Sequence, residues 1–171
     1  MKIDQIMLGE MLGDKSVGIY SAAVKISELW YFIPSIIVSS FFPSIIKLKS
    51  KNEELYYSKL QMLFDLLIWV SIIISIFMTF FSGFIVNLFF GLNYSESASV
   101  LKIHVWTGVA VSYGIVWSKW ILLQNKLKMI IIFHVLAMII NIIYNLYFIP
   151  SQGVVGAAIA TTLGSLTAQT V

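Results

Sequence analysis

The chain has 171 residues, 59% of them hydrophobic and 11% charged, and its mean hydropathy is +0.92. A soluble domain averages about 45–50% apolar and about 25% charged residues, and one of this length has no core large enough to hide the excess. The net charge of +3 comes from lysine alone and cysteine is absent, which argues against hydrophilic enzymes, disordered tails, thiolate metal sites and nucleic-acid binders and in favour of a bilayer protein.

A helical span needs about 20 predominantly apolar residues. Residues 1–12 are too few to cross, and they carry Asp4 and Glu10, so a helical stub is expected there. Gly13-Asp14-Lys15-Ser16 is turn chemistry with Ser16 as the expected N-cap. A helix over about 16–47 follows, containing Pro34 and Pro43, which membrane helices tolerate. The next is expected over about 60–81, with Asp65 near its start; Ser82-Gly83 should end it and leave 84–90 as a short interfacial helix. A third stretch, about 97–123, has Lys102 and Lys119 towards its ends. From Met129 onward there is no charged residue, and Pro150-Ser151-Gln152-Gly153 divides the remainder into helices over about 129–148 and 154–171. The expected fold is an all-α, polytopic transmembrane helical bundle. Both ends of the chain fall inside elements, so a fragment of a larger, transporter-sized protein is expected.

Lys47, Lys49, Lys51 and Lys59 share one inter-helix loop, and Lys126 and Lys128 another, with two spans between them. The positive-inside rule puts these loops in the cytoplasm. Ser21, Lys25, Glu28, Ser35 and Ser39 recur at spacings that keep one helical face. Lys25 and Glu28, an i,i+3 pair, would lie roughly 14 and 18 Å beyond Ser16, a depth at which charge faces a protein interior or a watery cavity. A structural ion pair between helices is the plainer reading of the same residues. Asn141 and Asn145 share a face of an otherwise apolar helix, where amides bond a neighbouring helix or line a cavity. His104 and His134 stand alone in the sequence and read as satisfied or interfacial side chains ahead of a proton relay. Gly156, Ala160, Gly164 and Ala168 form a small-xxx-small strip for close helix approach.

No phosphate loop, zinc motif, nucleophile elbow or paired acid–base carboxylates are present, so neither enzymatic activity nor a cofactor or metal is expected. Three stretches carry a family likeness. The first is Asp4-Gln5-Ile6-Met7-Leu8-Gly9, followed by Val17-Gly18-Ile19-Tyr20-Ser21-Ala22-Ala23 and Ile33-Pro34. The second is Phe89-Phe90-Gly91-Leu92-Asn93-Tyr94, ahead of Ala98 and Val100-Leu101. The third runs Ile149-Pro150-Ser151-Gln152-Gly153-Val154-Val155-Gly156-Ala157-Ala158-Ile159-Ala160-Thr161.

Together, and in this order, they resemble the polysaccharide and O-antigen flippases of the multidrug/oligosaccharidyl-lipid/polysaccharide superfamily. The resemblance implies most of the C-terminal lobe of a two-lobed, multi-pass inner (plasma) membrane flippase, with the N-terminal lobe as its missing partner. It implies a lipid-linked oligosaccharide as cargo, such as an O-antigen repeat for lipopolysaccharide, with the bilayer and polysaccharide polymerase machinery as surroundings. Lys25 would then meet the cargo's diphosphate, Glu28 would hold that lysine or couple a cation, and Ser21 and Ser35 would bond sugar hydroxyls. Three alternatives are a cation-coupled drug exporter of the same fold, a membrane glycan polymerase or acyltransferase, and a non-transporting membrane subunit. An exporter should show cavity carboxylates with little cationic compensation, and a polymerase or acyltransferase should show a sizeable extramembrane loop.

Overall fold

The computed structural model describes residues 3–167, whose regular structure is entirely helical. The helices are α1 (Ile3–Leu12), α2 (Asp14–Leu29), α3 (Phe32–Ile46), α4 (Glu53–Phe90), α5 (Ser97–His104), α6 (Thr107–Leu123) and α7 (Leu127–Thr167), with a 3-10 turn at Leu92–Tyr94. Four stretches are long and apolar enough to cross a membrane: α2 with α3, α4, α5 with α6, and α7.

α7 is made of two arms. Gly153, at φ 61° and ψ −135°, is not helical and folds the helix back on itself. The small residues of the second arm then pack directly on the first. A Cβ at Gly156 would run into the Phe148 carbonyl, and one at Gly164 would lie 3.3 Å from the Asn141 Cα. The strip read from the sequence is therefore used within the chain, although its fourth member, Ala168, and the helix end over 168–171 lie outside the described residues.

Two apolar cores hold the bundle. One gathers Leu8, Tyr20, Ala23, Val86, Val100, Leu101, Ile149 and Ala157 around α1, α2, the end of α4, α5 and the α7 elbow. The other joins Val38, Phe42 and Ile45 of α3 to Tyr56, Leu60, Leu63 and Leu67 of α4 and to Val116 of α6. Lys47, Lys49 and Lys51 follow α3 at this second end, and Lys126 follows α6. Hydroxyls bond between helices where lipid offers no alternative partner: Ser71 Oγ donates to Ser112 Oγ at 2.6 Å, and Ser97 Oγ to the Ile19 carbonyl at 2.7 Å.

Several helix boundaries differ from expectation. The first long helix begins at Asp14 after Gly13 (φ 81°), and Ser16 is not its N-cap; the Ser16 hydroxyl donates back to the Leu12 carbonyl at 3.3 Å. That helix, expected over 16–47, breaks at Trp30 and Tyr31. Pro34 has no N–H for the Trp30 carbonyl, which takes the Ile33 amide at 3.0 Å instead. The helix expected over 60–81 and the interfacial helix over 84–90 are one element of 38 residues. Asn52 Oδ1 caps its start by accepting the Leu55 amide at 2.9 Å. Ser82 does not break it, because its hydroxyl turns onto the Thr79 carbonyl at 3.1 Å.

The stretch over 97–123 is divided at Val105 and Trp106. The carbonyls loosened there accept from neighbouring helices: Ile103 O from Thr162 at 3.2 Å, Val105 O from Ser75 at 3.2 Å, and Lys102 O from Thr79 at 3.3 Å. The two breaks touch. Trp30 lays its ring where a Cβ on Gly108 would be.

Candidate functional site

Asp4 is a carboxylate only 5% exposed. α1 is too short to span, and its contacts with α2 and α7 carry this side chain into the bundle. Tyr20 of α2, fully buried, donates a short hydrogen bond to Asp4 Oδ2. Thr161, on the second arm of α7, donates to the same oxygen at 3.3 Å, and the Gln5 amide donates to Oδ1 at 2.9 Å. The Thr161 hydroxyl also accepts Asn141 Nδ2 at 3.4 Å, and Asn145 Nδ2 donates to Asn141 Oδ1 at 2.9 Å. A polar chain thus runs from α1 through α2 into both arms of α7.

Two features of this chain are costly. No ion pair reaches Asp4 among the described residues, and a buried charge without a counter-charge costs several kcal/mol. Asn145 is fully buried, yet its Oδ1 has no partner among the described residues. The group presents a carboxylate, a hydroxyl and amide oxygens, a donor chemistry that suits a hard cation. No three His, Cys, Asp or Glu gather into a metal-binding group among the described residues.

A cleft of about 390 Å³ opens beside Asp4, bounded also by Gln5, Ser21, Lys25, Glu28, Tyr31, His104, Thr107 and Thr161. Ser21, Lys25 and Glu28 therefore do share one cleft. Ser35 is not in it, because the break at Trp30 and Tyr31 ends the stripe; its hydroxyl donates to the Tyr31 carbonyl at 3.1 Å. Lys25 and Glu28 are both exposed and form no ion pair with each other. Lys25 also borders a shallow hollow with Phe89 and Phe90, where the end of α4 passes α2. Below the cleft a wider groove of about 800 Å³ runs between α6 and α7, lined by Trp117, Lys119, Trp120 and His134; Val111 borders both spaces. This arrangement can hold a charged, hydroxyl-rich group in an apolar setting. It has no nucleophile–base pair.

Sequence reasoning gave no site role to Asp4, Tyr20 or Thr161, and it read His104 as a satisfied or interfacial side chain. Asp4 was readable, since an ionisable residue in an apolar stretch marks a functional candidate by default. The others have no local signal: Thr161 lies 157 residues from Asp4, and His104 lies 77 from Ser27, its 2.9 Å hydrogen-bond partner.

The MatE family description matches residues 1–147. The chain is 26% identical over 165 residues to the probable low-salt glycan biosynthesis flippase Agl15 of Haloferax volcanii, covering 94% of this chain and 34% of that protein. It therefore spans about a third of the length of that relative. No solved structure matches. With most of its length under the family match, and with four apolar membrane-length stretches, the chain belongs to the MatE family of multi-pass membrane proteins.

Proposed function

We propose that the chain forms part of the C-terminal lobe of a flippase that carries polyprenyl-diphosphate-linked oligosaccharide across the inner (plasma) membrane by alternating access. The cargo class is an O-antigen or capsule repeat unit, handed on to polymerase machinery, and an N-terminal lobe supplies the facing wall. The observation that carries this reading is the cleft itself. Lys25 stands exposed, and unpaired among the described residues, beside Ser21 and Glu28 on a membrane-spanning helix, where an anion is the partner that offsets its cost. A diphosphate supplies that anion, and lysine meets it as a point charge. The name of the Haloferax relative, a glycan biosynthesis flippase, points the same way.

The test is Lys25→Ala in the transporter that carries this lobe. Glycan display should fall at least tenfold while abundance in the membrane stays within about 20%, because an exposed, unpaired side chain contributes little to stability. Display that survives the change refutes the role of Lys25. A fall of abundance together with display refutes it as well.

One observation favours a second reading, a cation-coupled drug exporter of the same fold. The Asp4, Thr161, Asn141 and Asn145 cluster offers oxygens to a cation, and the Asn145 Oδ1 is unpartnered. Drug efflux that depends on a cation gradient, with glycan display unaffected by loss of the protein, would select it.

A further inference from the structure

The groove between α6 and α7 has no part in the proposed transport cycle. It holds about 800 Å³, within the roughly 300–1,000 Å³ of pockets that take small molecules. Trp117 of α6 meets Phe133 of α7 edge-on, at a centroid distance of 4.8 Å and 87°, and both line the groove. Ile121 and Met129 line it nearer the turn between the two helices.

Two polar groups interrupt this apolar lining. Lys119 is half-buried, four residues before the end of α6, and His134 is exposed, seven residues after the start of α7. They therefore lie about 6 and 10 Å along their helices from the turn. Lys126 and Lys128 stand at that turn, which the positive-inside rule puts in the cytoplasm. No carboxylate lines the groove and Lys119 has no ion pair among the described residues; its ammonium lies 6.0 Å from the centre of the Phe42 ring. The histidine tautomer follows from its partner. Nδ1 lies 2.7 Å from the Ile130 carbonyl, which can only accept, so Nδ1 carries the proton and Nε2 of the neutral ring is left as an acceptor.

We propose that this groove binds an anionic glycerophospholipid of the cytoplasmic leaflet, with its phosphate on Lys119, a headgroup hydroxyl on His134 Nε2, and an acyl chain along Trp117, Phe133 and Met129. Charge selects the occupant. The single lysine of the lining matches the one charge of a phosphodiester, whereas the diphosphate of a lipid-linked cargo carries two. A zwitterionic lipid brings the phosphate but adds a cation that Lys119 would repel. Lysine meets phosphate as a point charge, and basic pockets between spans on the cytoplasmic side suit acidic headgroups, because that leaflet is negatively charged. Val111 borders both the groove and the Asp4 cleft, so the bound lipid shares a wall with the cleft. Nothing in its recognition depends on the cargo.

The experiment places the full chain in phosphatidylcholine nanodiscs with a few mole per cent of a lipid whose acyl chain carries a diazirine. Irradiation should label peptides over 114–121 and 129–137, several-fold more from a phosphatidylglycerol probe than from a phosphatidylcholine probe with the same chain. Lys119→Gln should cut that labelling about fivefold, the factor one lysine contributes against an anionic surface. Lys47→Gln, which removes the same charge from the other cytoplasmic loop, should leave it unchanged. His134→Phe should erase the preference for phosphatidylglycerol over phosphatidylmethanol, which has the charge without the hydroxyl. Equal labelling by the glycerol and choline probes means annular lipid only and overturns the proposal, as does full labelling of Lys119→Gln. Displacement of the probe by polyprenyl diphosphate at a lower mole fraction than unlabelled phosphatidylglycerol needs would give the groove to the cargo, and also overturns it. So does loss of labelling in the transporter that carries this lobe, where another segment would then cover the groove. If Lys119→Gln fails to fold, the two probes on the unaltered chain decide alone.

Discussion

Removing one oxygen from Tyr20 tests whether the Asp4 cluster holds the bundle together. Tyr20→Phe leaves the ring, its burial and its contact with His104 in place, because the side chain is fully buried and its edge contact is made by ring atoms. What is lost is the donor to Asp4 Oδ2, together with the 3.3 Å contact to Thr161. A hydrogen bond to a charged group contributes about 1.5–3 kcal/mol. Oδ2 retains only the longer bond from Thr161 at 3.3 Å, so the upper half of that range is expected. For a chain of this size about 1 kcal/mol moves the midpoint by about 2–4 °C, so thermal unfolding in detergent should drop by roughly 4–12 °C. The same substitution made on an Asp4→Asn background should cost less than about 1 kcal/mol, because a neutral amide gains less from the donor. Equal losses on both backgrounds would show that Tyr20 acts through packing and that its bond to Asp4 contributes little.

Gly156→Ala should cost more than a typical surface change, at least about 2 kcal/mol, because the added methyl meets the Phe148 carbonyl, a backbone atom that cannot rotate away; an unfolding midpoint unchanged within error would refute the close contact between the two α7 arms. With no native cysteine, Ser95→Cys should be labelled by an impermeant thiol reagent in intact cells and Ser50→Cys only after lysis, and the reverse pattern would invert the assigned orientation.

Membrane stretches were legible because a span must be apolar throughout, so each shows as a charge-poor run such as 29–46 or 129–167. The breaks inside them were hidden for different reasons. Pro34 gave a local hint, but the division at Val105 and Trp106 depends on Ser75, Thr79 and Thr162 reaching over from α4 and α7. Ser82-Gly83 misled because a serine can satisfy its hydroxyl on its own helix, as it does on Thr79. In the site, helical spacing was enough to group Ser21, Lys25 and Glu28, and to join Asn141 with Asn145. It failed for Ser35, which lies past a break, and for Tyr20, Thr161 and His104, whose partners arrive from other helices.

The bond between Asp4 and Thr161 also sets a schedule for biogenesis. The ribosome delivers Tyr20 to Asp4 after 16 more residues, but Thr161 only after 157. At about 5–20 residues per second, the second partner is synthesised roughly 8–30 s after the carboxylate. Throughout that interval the nascent lobe carries a charge that its finished form conceals. The insertion machinery, or water held within it, must shelter α1 until the second arm of α7 arrives.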